Sequence, residues 1–484
     1  MKTYKKYTAF PPVQMQNREW PGKTITKAPL WCSVDLRDGN QALPIPMNIN
    51  EKLEMFNLLL SLGFKEIEVG FPAASDTEYR FLRKIIEEKR IPEDVKVQIL
   101  TQSRKELISK SFESLKGAKK AIIHLYNSTS TLQRRVVFNK DRKEILKIAV
   151  DGAKLIKEFM EQYPETEFFH EYSPESFTGT ELDFALEICE AVMDIWQPTP
   201  QKKVILNLPS TVEMATPNIY ADQIEWMSKR LSRRDSVLIS VHAHNDRGTS
   251  VAASELALLA GADRVEGTLF GNGERTGNCD LLNMCLNMLT QGIDPIIDFS
   301  DIKKIVSVYE RCTKIPVHVR HPYAGTLVYT AFSGSHQDAI RKGLEIYRKE
   351  NSGKWEVPYL PIDPADVGRE YEAIIRINSQ SGKGGVAYIM EAEFGYKMPK
   401  EMHAEFGDRI KKESDETGKE LMPNEIFELF KKEYLEIRPE IQLKNYELAE
   451  KAGTVSMEAE VLLNGKLKAF KTKGNGPIDA FYNG

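Results

Sequence analysis

The 484-residue chain has no uninterrupted apolar run approaching the roughly 18 residues of a membrane-spanning helix, which argues against a membrane protein. Its start, MKTYKKYTAFPPVQMQNREWPGK, is basic but has no continuous apolar core, so it does not read as a secretory leader. Cysteine is scarce. The five residues Cys32, Cys189, Cys279, Cys285 and Cys312 are odd in number and lack CxxC spacing, which argues against a disulfide framework or a thiolate zinc site and fits a reducing cytoplasm. No charge of one sign dominates. With a formal net charge of −4 and acids and bases interspersed, the chain has no basic stripe for nucleic acid, although local positive charge suffices for a small anionic substrate. Phosphate loops are missing as well: LFGNGERTGNCD has the wrong glycine spacing, and SGKGG at Ser381–Gly385 lacks the upstream glycine of a Walker loop.

What is present is alternation. From about residue 30, short β-branched runs near Leu30–Val34, Glu66–Val69, Val97–Leu100, Ala121–His124, Thr166–His170, Val204–Leu208, Val237–Val241 and Arg264–Thr268 are separated by segments of helical period. Eight strand-helix units in roughly 260 residues predict an α/β fold, a closed (β/α)8 TIM barrel. A doubly wound open sheet is the alternative, but it more often places a glycine-rich turn after its first strand. The predicted organisation is an N-terminal arm (1–29), a catalytic barrel (30–325), a linker with small helical subdomains (326–445), and the start of an α+β domain (446–484). In that last part a strand from Val455 to Leu463 turns at Asn464-Gly465 into a second strand near Lys466–Lys471.

The chemistry concentrates where strands end. In VHAHND, His242 and His244 are two residues apart at a strand end, so both imidazoles can reach one metal ion. The best third ligand is Asp38 in LWCSVDLRDGNQAL, beside Arg37, a natural anion clamp; Asn278, presented by the glycine turn, is a possible weak fourth. Two nitrogens and one or two oxygens leave coordination positions open for a chelating substrate, and suit Mg²⁺, Mn²⁺ or Zn²⁺. His124 closes the fourth strand, Ser173 and Glu175 follow the fifth, and Thr211 follows the sixth, so their side chains should share the rim. His336, in SGSHQDAIRKGLEIYRK, opens an apparent helix whose dipole disfavours imidazolium, which keeps a neutral base near pH 7.

LRDGNQAL, EVGFP, HLYNSTS, HEYSPESF, LPSTVE, VHAHND, GNGERTGN and HPYAGTLVYTAFSGSHQDAI, in this order, resemble the 2-isopropylmalate synthase family over roughly residues 25–484, most closely its longer form. The resemblance implies a Claisen-type condensation of acetyl-CoA with 3-methyl-2-oxobutanoate, then thioester hydrolysis to 2-isopropylmalate and CoA. It also implies that Thr211 binds the 2-oxo acid carboxylate and that His124 and Ser173 line the same pocket. His336 would be the catalytic base, reaching the partner's site in a homodimer with Glu175 orienting it, and Tyr359 would be a further polar participant from the partner. In longer members, sequence like KGNGPIDA opens a leucine-binding domain with more chain after it, so an incomplete leucine site and weakened feedback inhibition are expected. Competing readings are a citramalate or homocitrate synthase, a lyase on the same barrel, and a non-enzymatic binding protein.

Overall fold

The computed structural model describes residues 3–331, 333–371, 383–417, 421–436 and 441–484. The chain divides into two units, Met1–Thr330 with Leu360–Tyr371, and Ala331–Tyr359 with Glu372–Gly484.

In the first unit, β1 (Leu30–Ser33), β2 (Glu66–Gly70), β3 (Lys96–Gln102), β4 (Lys120–Ser128), β5 (Glu167–Glu175), β6 (Val204–Asn207), β7 (Val237–His242) and β8 (Arg264–Gly267) form one closed parallel barrel, with β8 pairing back on β1. Each strand is followed by a helix: α1 (Ile49–Leu62), α2 (Asp76–Glu87), α3 (Lys105–Leu115), α4 (Arg142–Met160), α5 (Leu182–Trp196), α6 (Pro217–Arg230), α7 (Ser250–Leu259) and α8 (Leu281–Leu289). The helices form because their apolar residues recur on one face and their starts are capped. Asn48 and Asp141, for example, make full capping boxes with Glu51 and Glu144. Buried aromatic side chains seal helix to helix and helix to sheet, among them Phe56 of α1 against Phe81 of α2 and Phe112 of α3 against Phe168 of β5. Burial of each contributes about 1.5–3 kcal/mol.

Two strands run further than their apolar runs suggested. β4 continues through HLYNS and β5 through EYSPE because these polar stretches pair with each other in register: His124 with Glu171, Tyr126 with Ser173 and Ser128 with Glu175. Ser173 and Glu175 therefore stand on β5 rather than in the loop beyond it, and His124, expected at the end of its strand, lies in the middle of β4. The N-terminal arm is tied to α6: the Arg18 guanidinium donates to Asp222 at 2.5 and 2.7 Å, and the Trp20 indole donates to the same carboxylate at 2.8 Å.

In the second unit, α10 (Gly334–Glu350) follows α9 (Ile302–Thr313) of the barrel unit in the chain, and α11 (Lys383–Ala392), α12 (Lys400–Thr417) and α13 (Pro423–Phe430) come next. Ile389, Met390, Phe406, Ile410, Ile426 and Phe430 build an apolar core of their own. Of the Ser381–Gly385 run, Ser381 and Gly382 lie outside the described residues. The predicted hairpin is present as β10 (Thr454–Leu463) and β11 (Lys466–Gly474), with Asn464 and Gly465 both at positive φ as a tight turn requires. A third strand, β9 (Ile441–Lys451), pairs antiparallel on the other side of β10. Val455, Met457 and Ala459 on one face of β10 pack with Ala480 of α14 (Pro477–Asn483). Among the described residues, no helix is long and apolar enough to cross a membrane.

Candidate active site

At the C-terminal ends of the barrel strands lies a cavity of about 290 Å³ lined by Arg37, Asp38, His124, Ser173, Glu175, Thr211, His242 and His244, among others. The structure thus gathers, from five separate strands and the loops that follow them, the barrel residues expected at one rim. Asn278 stands directly behind them, bonded to Asp38. His336 and Tyr359 belong to the second unit, where their rings stack with centroids 4.0 Å apart, and both are exposed.

Asp38, His242 and His244 offer ligand atoms all within 4.8 Å of one another. His242 ends β7, and His244 forms a bridge with Asn278 just beyond it. Each imidazole is held through Nδ1: His242 by Glu266 Oε2 at 2.8 Å, and His244 by the Gly277 carbonyl at 3.2 Å. These partners fix the tautomer and leave Nε2 as the free lone pair on both rings. Asp38 accepts from Arg37 Nη1 at 2.8 Å and from Asn278 Nδ2 at 2.5 Å, while Asn278 Oδ1 is buried with no protein partner. The loop after β8 can close on this group only through its glycines. A Cβ at Gly277 would lie 1.9 Å from the Gly271 carbonyl oxygen, and one at Gly273 would lie 2.1 Å from Asn278 Nδ2. This donor set fits a divalent ion with open coordination positions.

Burial favours the neutral form of Asp38, but Arg37, His242 and His244 outweigh it and hold the carboxyl at about 2. Burial and the neighbouring His242 take His244 down to about 4. His242 goes the other way: burial lowers it, but the hydrogen bond and charge of Glu266 leave it above the ordinary histidine value. Because a bound cation needs both imidazoles neutral, the proton on His242 is the competitor near neutral pH. The expected result is an apparent Mn²⁺ Kd that rises as pH falls below the His242 pKa, by about tenfold per pH unit. Titrations from about pH 8 down to about pH 6 check it; a flat profile removes His242 from the ligand set.

Arg37 spans two carboxylates, donating to Glu68 through Nε at 2.5 Å as well as to Asp38. Glu68 Oε1 in turn lies 3.1 Å from His124 Nδ1, and His124 Nε2 lies 2.7 Å from Ser173 Oγ, which also accepts from Asn207 Nδ2 at 3.1 Å. Thr211 Oγ1 accepts from the Ser176 backbone N–H at 2.9 Å, which leaves its own hydroxyl proton for a ligand. Glu175 accepts from the Ser128 hydroxyl.

The family model described as HMGL-like matches residues 28–308, that for the alpha-isopropylmalate synthase post-catalytic domain matches 326–391, and the LeuA allosteric (dimerisation) domain matches 420–484. A 2-isopropylmalate synthase from Clostridium acetobutylicum is 62% identical over 99% of this chain and 88% of its own length. The chain belongs to the 2-isopropylmalate synthase family. The synthase of that name from Acetoanaerobium sticklandii is 57% identical over 99% of this chain and 85% of its own, and the one from Rhodospirillum rubrum is 58% identical over 98% and 86%.

In this member of the 2-isopropylmalate synthase family, the barrel interior beneath the cavity holds a polar layer that the strand readings missed. Arg264, fully buried, donates to Glu66 at 2.6 Å, to Glu266 at 2.8 Å and to Gln98 at 2.6 Å. Gln98 Nε2 joins Glu266 and Glu68. A second histidine-carboxylate group, His124 with Glu171 and Glu266, has ligand-like spacing, but the Arg264 guanidinium already supplies its positive charge, at 2.8 Å from Glu266 and 3.5 Å from Glu171. At the mouth, Arg275 pairs with Asp246 at 2.8 Å and donates to the Thr211 carbonyl, tying three rim loops together. The signal for the interior layer was charge at alternate positions inside otherwise apolar strands, as in EIEVG and RVEG.

Proposed function

We propose that this chain is a metal-dependent acyltransferase that condenses acetyl-CoA with 3-methyl-2-oxobutanoate and hydrolyses the thioester, releasing 2-isopropylmalate and CoA in leucine biosynthesis. What carries this reading is the Arg37-Asp38 pair set beside His242 and His244 at one cavity of a closed barrel, in a chain so similar to relatives of that name.

Asp38, His242 and His244, with Asn278 as a further oxygen donor, would hold the divalent ion, Mg²⁺, Mn²⁺ or Zn²⁺. When bound, it supplies Lewis-acid polarisation of the ketone. Thr211 donates its hydroxyl to the 2-oxo acid carboxylate, and Ser173 and His124 form the wall beside it. Arg37, fixed by Glu68 and Asp38, presents its guanidinium to the oxygen that becomes an alkoxide, an arrangement that needs no reorganisation as charge develops. His336 takes a proton from the acetyl methyl group; the resulting carbon nucleophile bonds to the ketone carbon, and water then cleaves the thioester with departure of the CoA thiol. Tyr359, stacked on His336, orients that base together with Glu175. The chain acts as a homodimer in which one subunit's His336 serves the partner's cavity, and it works in the cytoplasm.

The test is CoA release, followed with a thiol reagent, from acetyl-CoA plus 3-methyl-2-oxobutanoate, pyruvate or 2-oxoglutarate. Release with 3-methyl-2-oxobutanoate, abolished by chelator and restored by a divalent ion, is expected. Preference for either other acceptor would make the chain a sister condensing enzyme, and no release with any acceptor would sink the enzymatic reading.

A further inference from the structure

Helix α1 buries Met55, Phe56, Leu59 and Leu62 against the barrel, and one turn earlier on the same face it buries a lysine. Lys52 is completely enclosed, with its ammonium 5.5 Å from the centre of the Phe81 ring. An apolar side chain there would bury more surface without the desolvation penalty of a charge. Burial accordingly lowers the Lys52 pKa, against the raising effect of Glu78.

What the ammonium does is visible in its two acceptors. Nζ donates to the Leu36 carbonyl at 2.7 Å and to Glu78 Oε1 at 3.4 Å. Leu36 is the buried residue immediately before Arg37 and Asp38, in the turn that leaves β1. Glu78, on α2, uses its other oxygen to accept from the Phe71 backbone N–H in the turn that leaves β2. Inside the barrel the same two strands are joined by Arg37 and Glu68. The turn carrying Arg37 and Asp38 is thus held on the cavity side by one ion pair and on the helix side by another.

We infer that Lys52 is a positioning residue for the metal site: by fixing the Leu36 carbonyl it sets the direction of the Asp38 carboxylate toward His242 and His244. The inference rests on the reading of those three residues as ligands, and its test reads metal binding directly instead of turnover. Mn²⁺ alone is titrated into the full-length chain, with free ion followed by electron paramagnetic resonance, and Tm is measured on the same samples.

Lys52→Met is expected to raise the Mn²⁺ Kd by about tenfold to a hundredfold, the range found when groups supporting a ligand are removed, with Tm at or above that of the wild type. Lys52→Arg, which keeps a buried cation within reach of the carbonyl, should recover most of the affinity. Phe112→Leu, on the buried face of α3 and away from this turn, should lower Tm and leave the Kd unchanged. Should Lys52→Met not fold, Glu78→Gln decides, because it removes the counter-charge of the ammonium and should raise the Kd in the same direction by a smaller factor. An unchanged Kd in whichever of these two variants is used overturns the inference, as does a Phe112→Leu variant whose Kd rises with its loss of stability. A wild-type chain that binds no Mn²⁺ overturns the ligand assignment, and the inference with it.

Discussion

Replacing His244 by alanine is expected to cut CoA release by about a thousandfold, because Lewis-acid stabilisation is worth several kcal/mol and each 1.4 kcal/mol or so is a factor of ten in rate. The variant should also fail to retain Mn²⁺ under conditions where the wild type binds it. His244 is chosen over His242 because its imidazole answers only to a backbone carbonyl, that of Gly277. Its loss leaves no buried charge unpaired. Replacing His242 would strip Glu266 of a partner and mix a stability defect into the kinetic one. The pKa of His244 supports the choice: with this imidazole taken down to about 4, the alanine variant removes a neutral ring at every pH at which the enzyme is assayed. Undiminished Mn²⁺ binding together with near-normal CoA release would show that the ion, if needed, sits elsewhere.

The residues that could be read from the sequence are those whose setting is local. Asp38 and the two histidines follow apolar runs in the chain, and a polar side chain just past a buried strand of a barrel has the rim as its natural place. The interior layer needed more than local order. Glu66, Glu68, Gln98, Glu171, Arg264 and Glu266 lie within the strands, and whether such a residue points inward depends on the register of the closed barrel. A charged residue inside a strand is also ordinarily assigned to the solvent face. Here the opposite holds because four strands contribute groups that satisfy one another. Lys52 was illegible for a related reason: a lysine early in a helix reads as solvated, and only the position of the Leu36 carbonyl shows why it is enclosed. The strand β9 escaped notice because its apolar alternation changes phase at a bulge: Ile441 and Leu443 are out of step with Tyr446 and Leu448, and all four are exposed. The stacking of His336 on Tyr359 joins residues 23 positions apart (359 − 336) through a turn at Tyr359, whose φ is +64°.

Arg264 is the residue on which the interior layer depends for its charge, and Arg264→Met should be the most destabilising single substitution in the barrel. Removing one partner of a buried ionic cluster costs about 3–5 kcal/mol, and at roughly 2 °C per kcal/mol in a domain of this size the Tm should fall by roughly 6–10 °C. The reason lies in the carboxylates around it. Burial pushes Glu266 toward the neutral acid, yet Arg264 and then His242 hold it well below the usual carboxylate range. Glu171, farther from the guanidinium, is driven well above that range by burial, with Glu266 and Glu68 adding to the effect and Arg264 opposing it. One cation therefore sets which of the carboxyls is charged. Without it, Glu266 gains affinity for a proton and loses its hold on His242 Nδ1, so Mn²⁺ binding should weaken along with stability. Glu66 keeps Lys96 at 2.9 Å, so adding Glu66→Gln to Arg264→Met should recover only part of the lost Tm. Denaturation of the three metal-free chains at one pH decides the matter. If Arg264→Met melts with the wild type, the cluster is held by something other than its central charge, and the account of how Glu266 keeps His242 ready for a metal fails with it.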